Sequence, residues 1–220
     1  GLFASRDAAT DLAFSGLLEL EGTRPLGIGL ETMTVRAGDV AWELQNSARF
    51  RYVSDEGLLI ENLNLERQGT EPGTIAINGM LPPTGAAELR VTALNVDLGD
   101  FRRLIPTAPD VTGELSLTGV LEGPVASPDL TVTGQAVQVG VQGVVTDSLN
   151  FDFDYTAGLL TGYARAVTNG RPLLDAELSV PMSLSLENRI IPAFEFDENA
   201  PKVKGRIITT LPKAKESRPL

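Results

Sequence analysis

Two aspartates on one predicted strand are the residues that come nearest to a catalytic pair. Asp152 and Asp154 stand two positions apart in the segment LNFDFDY, residues 149–155, so both carboxylates would lie on one face of a β-strand. Two carboxylates at that spacing can share a cation or act as an acid and a base. The polar residues of the segment all fall on that same face, however, which favours the solvated side of an amphipathic strand. Glu19 and Glu21 receive the same interpretation.

The sequence lacks the residue types on which most enzymes depend. It contains no His and no Cys, which removes the commonest general base and metal ligand, the thiolate nucleophile and every disulfide. It has neither of the usual glycine-rich phosphate-binding motifs. The single Trp, Trp42, is more typical of a packing anchor than of a ligand platform. We therefore predict no catalytic residue, no metal site and no cofactor, in a protein that is not an enzyme.

The charge of the chain argues against a nucleic-acid partner. The net charge is −11, whereas a nucleic-acid surface must neutralise phosphates with Lys and Arg. The basic residues gather at one end, because residues 199–220 hold 6 of the 18 Lys and Arg and 1 of the 29 Asp and Glu. We interpret this basic terminal segment as solvated chain rather than as a patch for phosphate or lipid headgroups.

The apolar content predicts a folded chain rather than a disordered one. The hydrophobic fraction of 42% is enough for a sizeable core. No apolar run approaches the roughly 18 residues of a membrane-spanning helix. The chain begins with Gly, so we interpret it as a piece of a longer protein and expect any targeting signal to lie in a preceding part.

Strict alternation of apolar and polar residues predicts an all-β fold. It is clearest in residues 149–155 and in LDAELSVPMSLSLE, residues 174–187, where successive side chains would point to opposite faces of a sheet. Turns rich in Gly, Pro and Asp recur about every 8–12 residues, as in an antiparallel meander. The sequence thus predicts long amphipathic antiparallel strands in one elongated unit over residues 1–220.

At most one or two short helices are expected beside the strands. Residues 97–105 carry apolar side chains at helical spacing, with Asp100 as the predicted N-cap and Pro106 after the last turn. A weaker helix signal begins at Asp7.

A series of motifs in the middle of the chain resembles a known family. The motifs are AGDVAWEL (37–44), ARFRYVSDEGLLIENLNLERQG (48–69), GTIAINGMLPPTGAAELRVTALNVDLGDFRRLIP (73–106), VTGELSLTGVLEGPVASPDLTVTGQ (111–135) and SVPMSLSLEN (179–188). Their order resembles the C-terminal region of TamB, of the bacterial translocation and assembly module, and its AsmA-like relatives. The resemblance covers residues 37–188, and its specific part is the order of the motifs.

The resemblance implies a fold and a role. Proteins of this type are periplasmic β-structures curled into a trough with an apolar interior, held by an inner-membrane anchor. They are proposed to bridge the inner and outer membranes and to pass phospholipids or assist β-barrel assembly, together with an outer-membrane barrel protein of the module. Acyl chains would then lie on the apolar side of the strands. The residues expected to line this groove are Leu115, Leu117, Leu130, Val132, Leu149, Phe151, Phe153, Leu178, Val180, Met182, Leu184 and Leu186.

Two alternatives to lipid conduction remain open at this stage. In the first, a chaperone-like module receives nascent outer-membrane strands by β-augmentation. Pro181 indicates a strand edge or a bulge, because Pro donates no hydrogen bond to a central ladder. In the second, two sheets close over each other as a sandwich and the apolar face is ordinary core.

Overall fold

The strands and the one helix of the described residues confirm the all-β prediction. The structure, a computed structural model, describes residues 5–7, 10–21, 24–53, 56–70, 72–104, 110–141, 144–187, 193–196 and 204–209. The first part of the chain forms β1 Ser5–Asp7, β2 Thr10–Glu21, β3 Arg24–Ala37, β4 Val40–Leu44, β5 Ala48–Val53, β6 Gly57–Arg67, β7 Thr74–Leu81 and β8 Ala86–Asp97. After the helix α1, Leu98–Leu104, come β9 Val111–Pro124, β10 Asp129–Val141, β11 Val144–Thr156, β12 Leu159–Thr168, β13 Arg171–Ser185, β14 Ala193–Phe196 and β15 Lys204–Thr209.

The strands form one antiparallel sheet in which neighbours in sequence are mostly neighbours in space. Pairing runs from β1 through β3, then β4, then β6 to β13 and β14. β4 and β5 share the position between β3 and β6, and β15 pairs with β13. The predicted meander of long antiparallel strands is therefore confirmed, while the curling of this sheet into a groove stays a prediction.

The register of the strands gathers the apolar residues on one face. Val132 of β10 and Gly162 of β12 both lie opposite Phe153 of β11. Followed outward, the same pairing defines a central row with one residue from each strand between β6 and β13. The row is Leu63, Ile77, Val91, Gly119, Val132, Phe153, Gly162 and Leu178. We call the face that carries this row the apolar face, because directly paired residues of a sheet share a face.

The opposite face is polar, as the alternation predicts. Asp152 and Asp154 are exposed on it and accept hydrogen bonds from hydroxyl groups of β10. Thr133 Oγ1 donates to Asp152 at 3.2 Å and Thr131 Oγ1 to Asp154 at 3.0 Å. The two carboxylates are thus paired with threonines on a solvated face, which confirms their interpretation as the wet side of a strand.

Three of the register shifts fall on strands that run in the same direction. The pairing shifts after Ile60 in β6, after Ala93 in β8 and after Val137 in β10. A residue with positive φ stands at each shift: Asn62 (56°), Asn95 (51°) and Gln138 (52°). In β6 and β8 the backbone N–H at the shift donates to a side chain of the next strand. The Asn62 N–H donates to Asn78 Oδ1 at 2.7 Å, and the Asn95 N–H donates to Ser116 Oγ at 3.0 Å. Bulges of this kind bend a strand and increase the local twist of its sheet.

The helix predicted over residues 97–105 is confirmed by α1, but its predicted N-cap and the second predicted helix are wrong. The Asp97 carboxylate accepts the Gly99 N–H at 2.8 Å, so Asp97 caps α1, and the prediction of Asp100 as N-cap is wrong. The carboxylate of Asp100 is instead buried and forms ion pairs with Arg67 and Arg103. The weak helix beginning at Asp7 is also wrong where the chain is described, because Thr10–Glu21 is a strand and residues 8 and 9 lie outside the described residues. Within the described parts of the chain, no helix is long and apolar enough to cross a bilayer.

The basic terminal segment contributes a strand to the sheet. Of residues 199–220 the structure describes only Lys204–Thr209, which form β15 and pair with Leu174–Ser179 of β13. The solvated state of the segment stays a prediction, and its other residues lie outside the described residues.

The clusters of buried apolar residues lie toward the two ends of the strands. At the helix end, where α1 follows β8, the core consists of Val40, Trp42, Ala93 and Val96. At the other end, which we call the strap end, the turn between β9 and β10 places Val125 against Ala87, Leu121 and Leu186. Trp42 is 3% exposed, which confirms it as a packing anchor.

Candidate apolar binding face

The middle of the apolar face is only half covered. All eight residues of the central row are half-buried, and none reaches the burial of the two end cores. Their neighbours in the same face follow the same pattern, since Ile60, Ile75 and Leu89 are also half-buried. A single sheet can seal one face only by packing it against another element. Among the described residues no second layer covers this row.

Two phenylalanine rings lie over glycines of the adjacent strands. The ring of Phe151 occupies the space above Gly134, where an added Cβ would come within 2.6 Å of Phe151 Cζ. The ring of Phe153 occupies the corresponding space above Gly162 on the other neighbouring strand. The two ring centroids are 5.9 Å apart at an interplanar angle of 31°. The rings therefore lean over the sheet on either side of β11, which gives a broad and low apolar surface.

Nine of the predicted groove residues share the apolar face and are half-buried. They are Leu115, Leu117, Leu130, Val132, Leu149, Phe151, Phe153, Leu178 and Val180. The other three predicted residues lie elsewhere. Met182, Leu184 and Leu186 are 7%, 2% and 2% exposed and form part of the cores at the strap end.

These three residues belong to a segment that crosses the end of the sheet, residues 182–186, which we call the strap. Pro181 is the last residue of β13 to pair with β12, opposite Leu159. Beyond it the Met182 N–H donates to Gly158 O at 3.0 Å and the Leu186 N–H donates to Val125 O at 2.7 Å. The strap thus runs from the turn between β11 and β12 to the turn between β9 and β10. Pro181 marks the point at which the strand changes partners.

The strap is also held from the apolar face. The Leu184 N–H donates to Tyr155 Oη at 2.9 Å, and both residues are buried. Leu184, Tyr155 and Met182 form a cluster against which Leu130 and Leu160 pack. Hydrogen bonds and apolar contacts thus fix the strap on the sheet, where it covers this end of the apolar face from β9 to β12.

A buried aspartate fixes α1 at the helix end. Asp100 is 1% exposed and accepts hydrogen bonds from Arg67 Nε at 2.7 Å, Arg103 Nη1 at 3.0 Å and Trp42 Nε1 at 3.3 Å. The hydrogen bond to Asp100 raises the pKa of the Arg67 guanidinium, against the opposing effect of burial. A carboxylate buried in this way is tolerated because each partner is a donor and two of them carry positive charge. Asp100 therefore ties α1 to β4 and β6.

In the described part of the chain, the acidic residues form no group of three that could hold a metal ion. The buried carboxylate of Asp100 is fully engaged by its three donors.

No family model, curated protein or solved structure matches this chain.

Sequence reasoning missed the part of the face that comes before residue 111. Leu63, Ile77 and Val91 of β6, β7 and β8 stand in the central row beside the predicted residues. The same alternation of apolar and polar residues could have identified them. The strap gives no such signal, because residues 182–186 alternate just as strictly as the open part of β13.

Proposed function

We propose that the apolar face binds the acyl chains of phospholipids. The observation that carries the proposal is the central row, in which eight adjacent strands present half-buried apolar residues or glycine to one surface. Removal of apolar surface from water is favourable by about 25 cal/mol per Å² and needs no directional contacts. Hydrocarbon chains that cover this surface would therefore bind to it. No residue of the row needs to react.

The dimensions of the row suit a hydrocarbon chain. Strands of a sheet are about 4.8 Å apart, so eight of them extend over roughly 34 Å. This exceeds the roughly 15 Å that one leaflet contributes to the hydrocarbon core of a bilayer. The row is therefore long enough for more than one acyl chain placed end to end.

The closed ends of the strands favour one direction for these chains. The strap covers the face at one end, and α1 with the Trp42 and Asp100 cluster covers it at the other. The open part of the face then lies between them and runs across the strands. Chains that follow the central row would advance along the axis of the sheet, as a bridge between two membranes requires.

We carry the cellular role over from the resemblance to TamB. In this proposal the chain is a periplasmic segment of an inner-membrane-anchored protein and supports outer-membrane biogenesis with an outer-membrane barrel partner. The half-buried state of the row supports an open groove over a closed sandwich, because packed sheets bury their facing residues to native core density. The exposed acidic side chains of the opposite face would keep such a surface in solution.

Lipid extraction and site-directed crosslinking test the proposal. The purified chain, extracted with organic solvent, should release phospholipid that mass spectrometry identifies. A photo-crosslinking residue in place of Phe151 should capture lipid, whereas the same residue in place of the adjacent Asn150, exposed on the polar face, should not. A crosslinker at Leu184 in the strap should also capture little, because this side chain is 2% exposed. Equal labelling at Phe151 and Asn150, or none at either, would contradict the proposal.

Strand capture is the second candidate function, and the outer edge of β2 favours it. Within the described residues only Thr10–Leu12 of β2 pair on that side, with β1, and Leu17, Leu18 and Leu20 are 66%, 58% and 55% exposed. An exposed apolar edge can accept a strand from another protein. Crosslinking of unfolded outer-membrane strands at Leu18, without lipid at Phe151, would favour this function over lipid binding.

A further inference from the structure

The two outer edges of the sheet match each other in direction and in face. β2 runs toward the strap end, and β15 runs away from it. A second copy placed beside the first in the same orientation would therefore bring its β15 antiparallel to β2. Residues that share the apolar face in one copy, Leu18 on β2 and Ile207 on β15, would share it in the pair as well.

The sequences of the two edges are complementary in charge. We place Ile207 opposite Leu18 on the apolar face. The neighbouring positions on the polar face then pair as follows: Lys204 with Glu21, Arg206 with Glu19 and Ile208 with Leu17. Opposite charges and paired apolar residues on facing strands each stabilise an antiparallel pair. The register thus joins two ionic pairs to two apolar pairs over residues 16–21 and 204–209.

Exposure at the β2 edge leaves this pairing free to form. Glu19 is 37% exposed and contacts Arg49 of β5 at 3.1 Å, so its carboxylate stays in reach of a further cation. Leu17 and Leu18 are 66% and 58% exposed and are among the most exposed large apolar residues that the structure describes. Among the described residues, no strand covers the outer side of β15.

We propose that copies of this chain associate head to tail, with β15 of one copy added to β2 of the next. Such a contact is heterologous, so it extends the sheet and does not close it with two-fold symmetry. The apolar face then continues from one copy to the next. The inference does not rest on lipid binding, because it concerns only the strand edges.

Charge-swapped variants test the contact in lipid-free and detergent-free solution. The wild-type chain should self-associate with rising concentration in sedimentation velocity, and high salt should weaken the association. The double variant Glu19→Lys with Glu21→Lys should associate about 10-fold more weakly, as should Lys204→Glu with Arg206→Glu. An equimolar mixture of the two variants should associate again, because each altered edge then meets an oppositely charged one. Circular dichroism checks that both variants remain folded.

A matched control alters the same number of charges away from the edges. Glu88 and Glu122 are exposed and face each other in the middle of the sheet, on β8 and β9. The double variant Glu88→Lys with Glu122→Lys should associate as the wild-type chain does. A monomeric wild-type chain at every concentration, or a mixture of edge variants that stays monomeric, would overturn the proposal.

Cysteine crosslinking gives a readout of the register. The chain has no Cys, so Leu18→Cys and Ile207→Cys introduce the only thiols. Directly opposed residues of antiparallel strands have Cα atoms about 4.5–5.5 Å apart, within the range of a disulfide. Mixed single variants should form a disulfide-linked dimer on oxidation, whereas Val137→Cys on exposed β10 should not join Leu18→Cys. A chain that carries both Leu18→Cys and Ile207→Cys should not form a disulfide within itself. Such an intramolecular disulfide would show that the sheet closes on itself and would overturn the proposal.

Discussion

Phe153 and Gly162 lie directly opposite each other on β11 and β12, and the ring of Phe153 fills the space where any other residue at position 162 would place its Cβ. The same relationship holds between Phe151 and Gly134 across β10. Aromatic side chains thus cover the backbone of both neighbouring strands, a device that compensates for glycine in a sheet. The flat apolar surface at the middle of the face depends on these two pairs.

Substitution of Gly162 should disturb this surface. Gly162→Ala forces the Phe153 ring out of its position, and we expect a loss of about 1–3 kcal/mol in the free energy of unfolding, measured by urea denaturation. Gly119→Ala is the matched control in the same central row, because an added Cβ there would lie 3.9 Å from its nearest neighbour, Val132 Cγ2. That variant should stay within about 0.5 kcal/mol of the wild type. Equal losses in both variants would contradict the ring geometry.

Asp100 should be the most sensitive charged residue of the helix end. Asp100→Asn removes the negative charge that Arg67 and Arg103 share, and we expect a loss of about 2–3 kcal/mol because Arg67 is left without its main ionic partner. Asp39→Asn serves as control, since the Asp39 side chain is 85% exposed and lies 3.8 Å from Arg103. Thermal and urea unfolding of the two variants, compared with the wild type, should separate their effects clearly. A loss at Asp39 that matches the loss at Asp100 would show that burial is not the cause.

Removal of one hydroxyl group should loosen the strap. In Tyr155→Phe the buried Leu184 N–H loses the acceptor that lies 2.9 Å away, which should cost about 1–3 kcal/mol. Hydrogen exchange at Leu184 should accelerate at the same time, because the strap opens more often. Tyr52→Phe removes a hydroxyl from a side chain that is 54% exposed and should change neither quantity. Unchanged exchange at Leu184 in Tyr155→Phe would count against the role of this hydrogen bond.

The bulge in β6 should tolerate glycine and reject a β-branched residue. Asn62 has a φ of 56°, a left-handed conformation that costs most side chains about 1–2 kcal/mol and costs Gly almost nothing. We therefore expect Asn62→Val to lower the free energy of unfolding by about that amount and Asn62→Gly to leave it nearly unchanged. Denaturant titration of the pair provides the comparison. Equal stability of the two variants would show that the bulge is not maintained in solution.

The helix and the strap show why some features escape sequence reasoning. Residues 97–105 carry the spacing of a helix, yet Asp97 and Asp100 are both acceptable N-caps by residue type. Only the packing of α1 against Arg67 and Trp42 decides which carboxylate caps the helix and which is buried. In the same way Val180 and Leu184 occupy equivalent positions in the alternation of β13, and Pro181 alone marks the change of course between them.

The sequence by itself determined that this chain is an antiparallel β-protein with one apolar and one polar face, because side chains of a strand alternate with a period of two whatever its neighbours are. It also determined the absence of His and Cys chemistry. The tertiary structure alone decided which apolar residues stay half open and which are sealed. Leu178 and Leu184 have the same side chain and the same parity, but the register leaves one in the central row and places the other under the strap. Burial depends on what lies across from a residue, which is a contact distant in sequence.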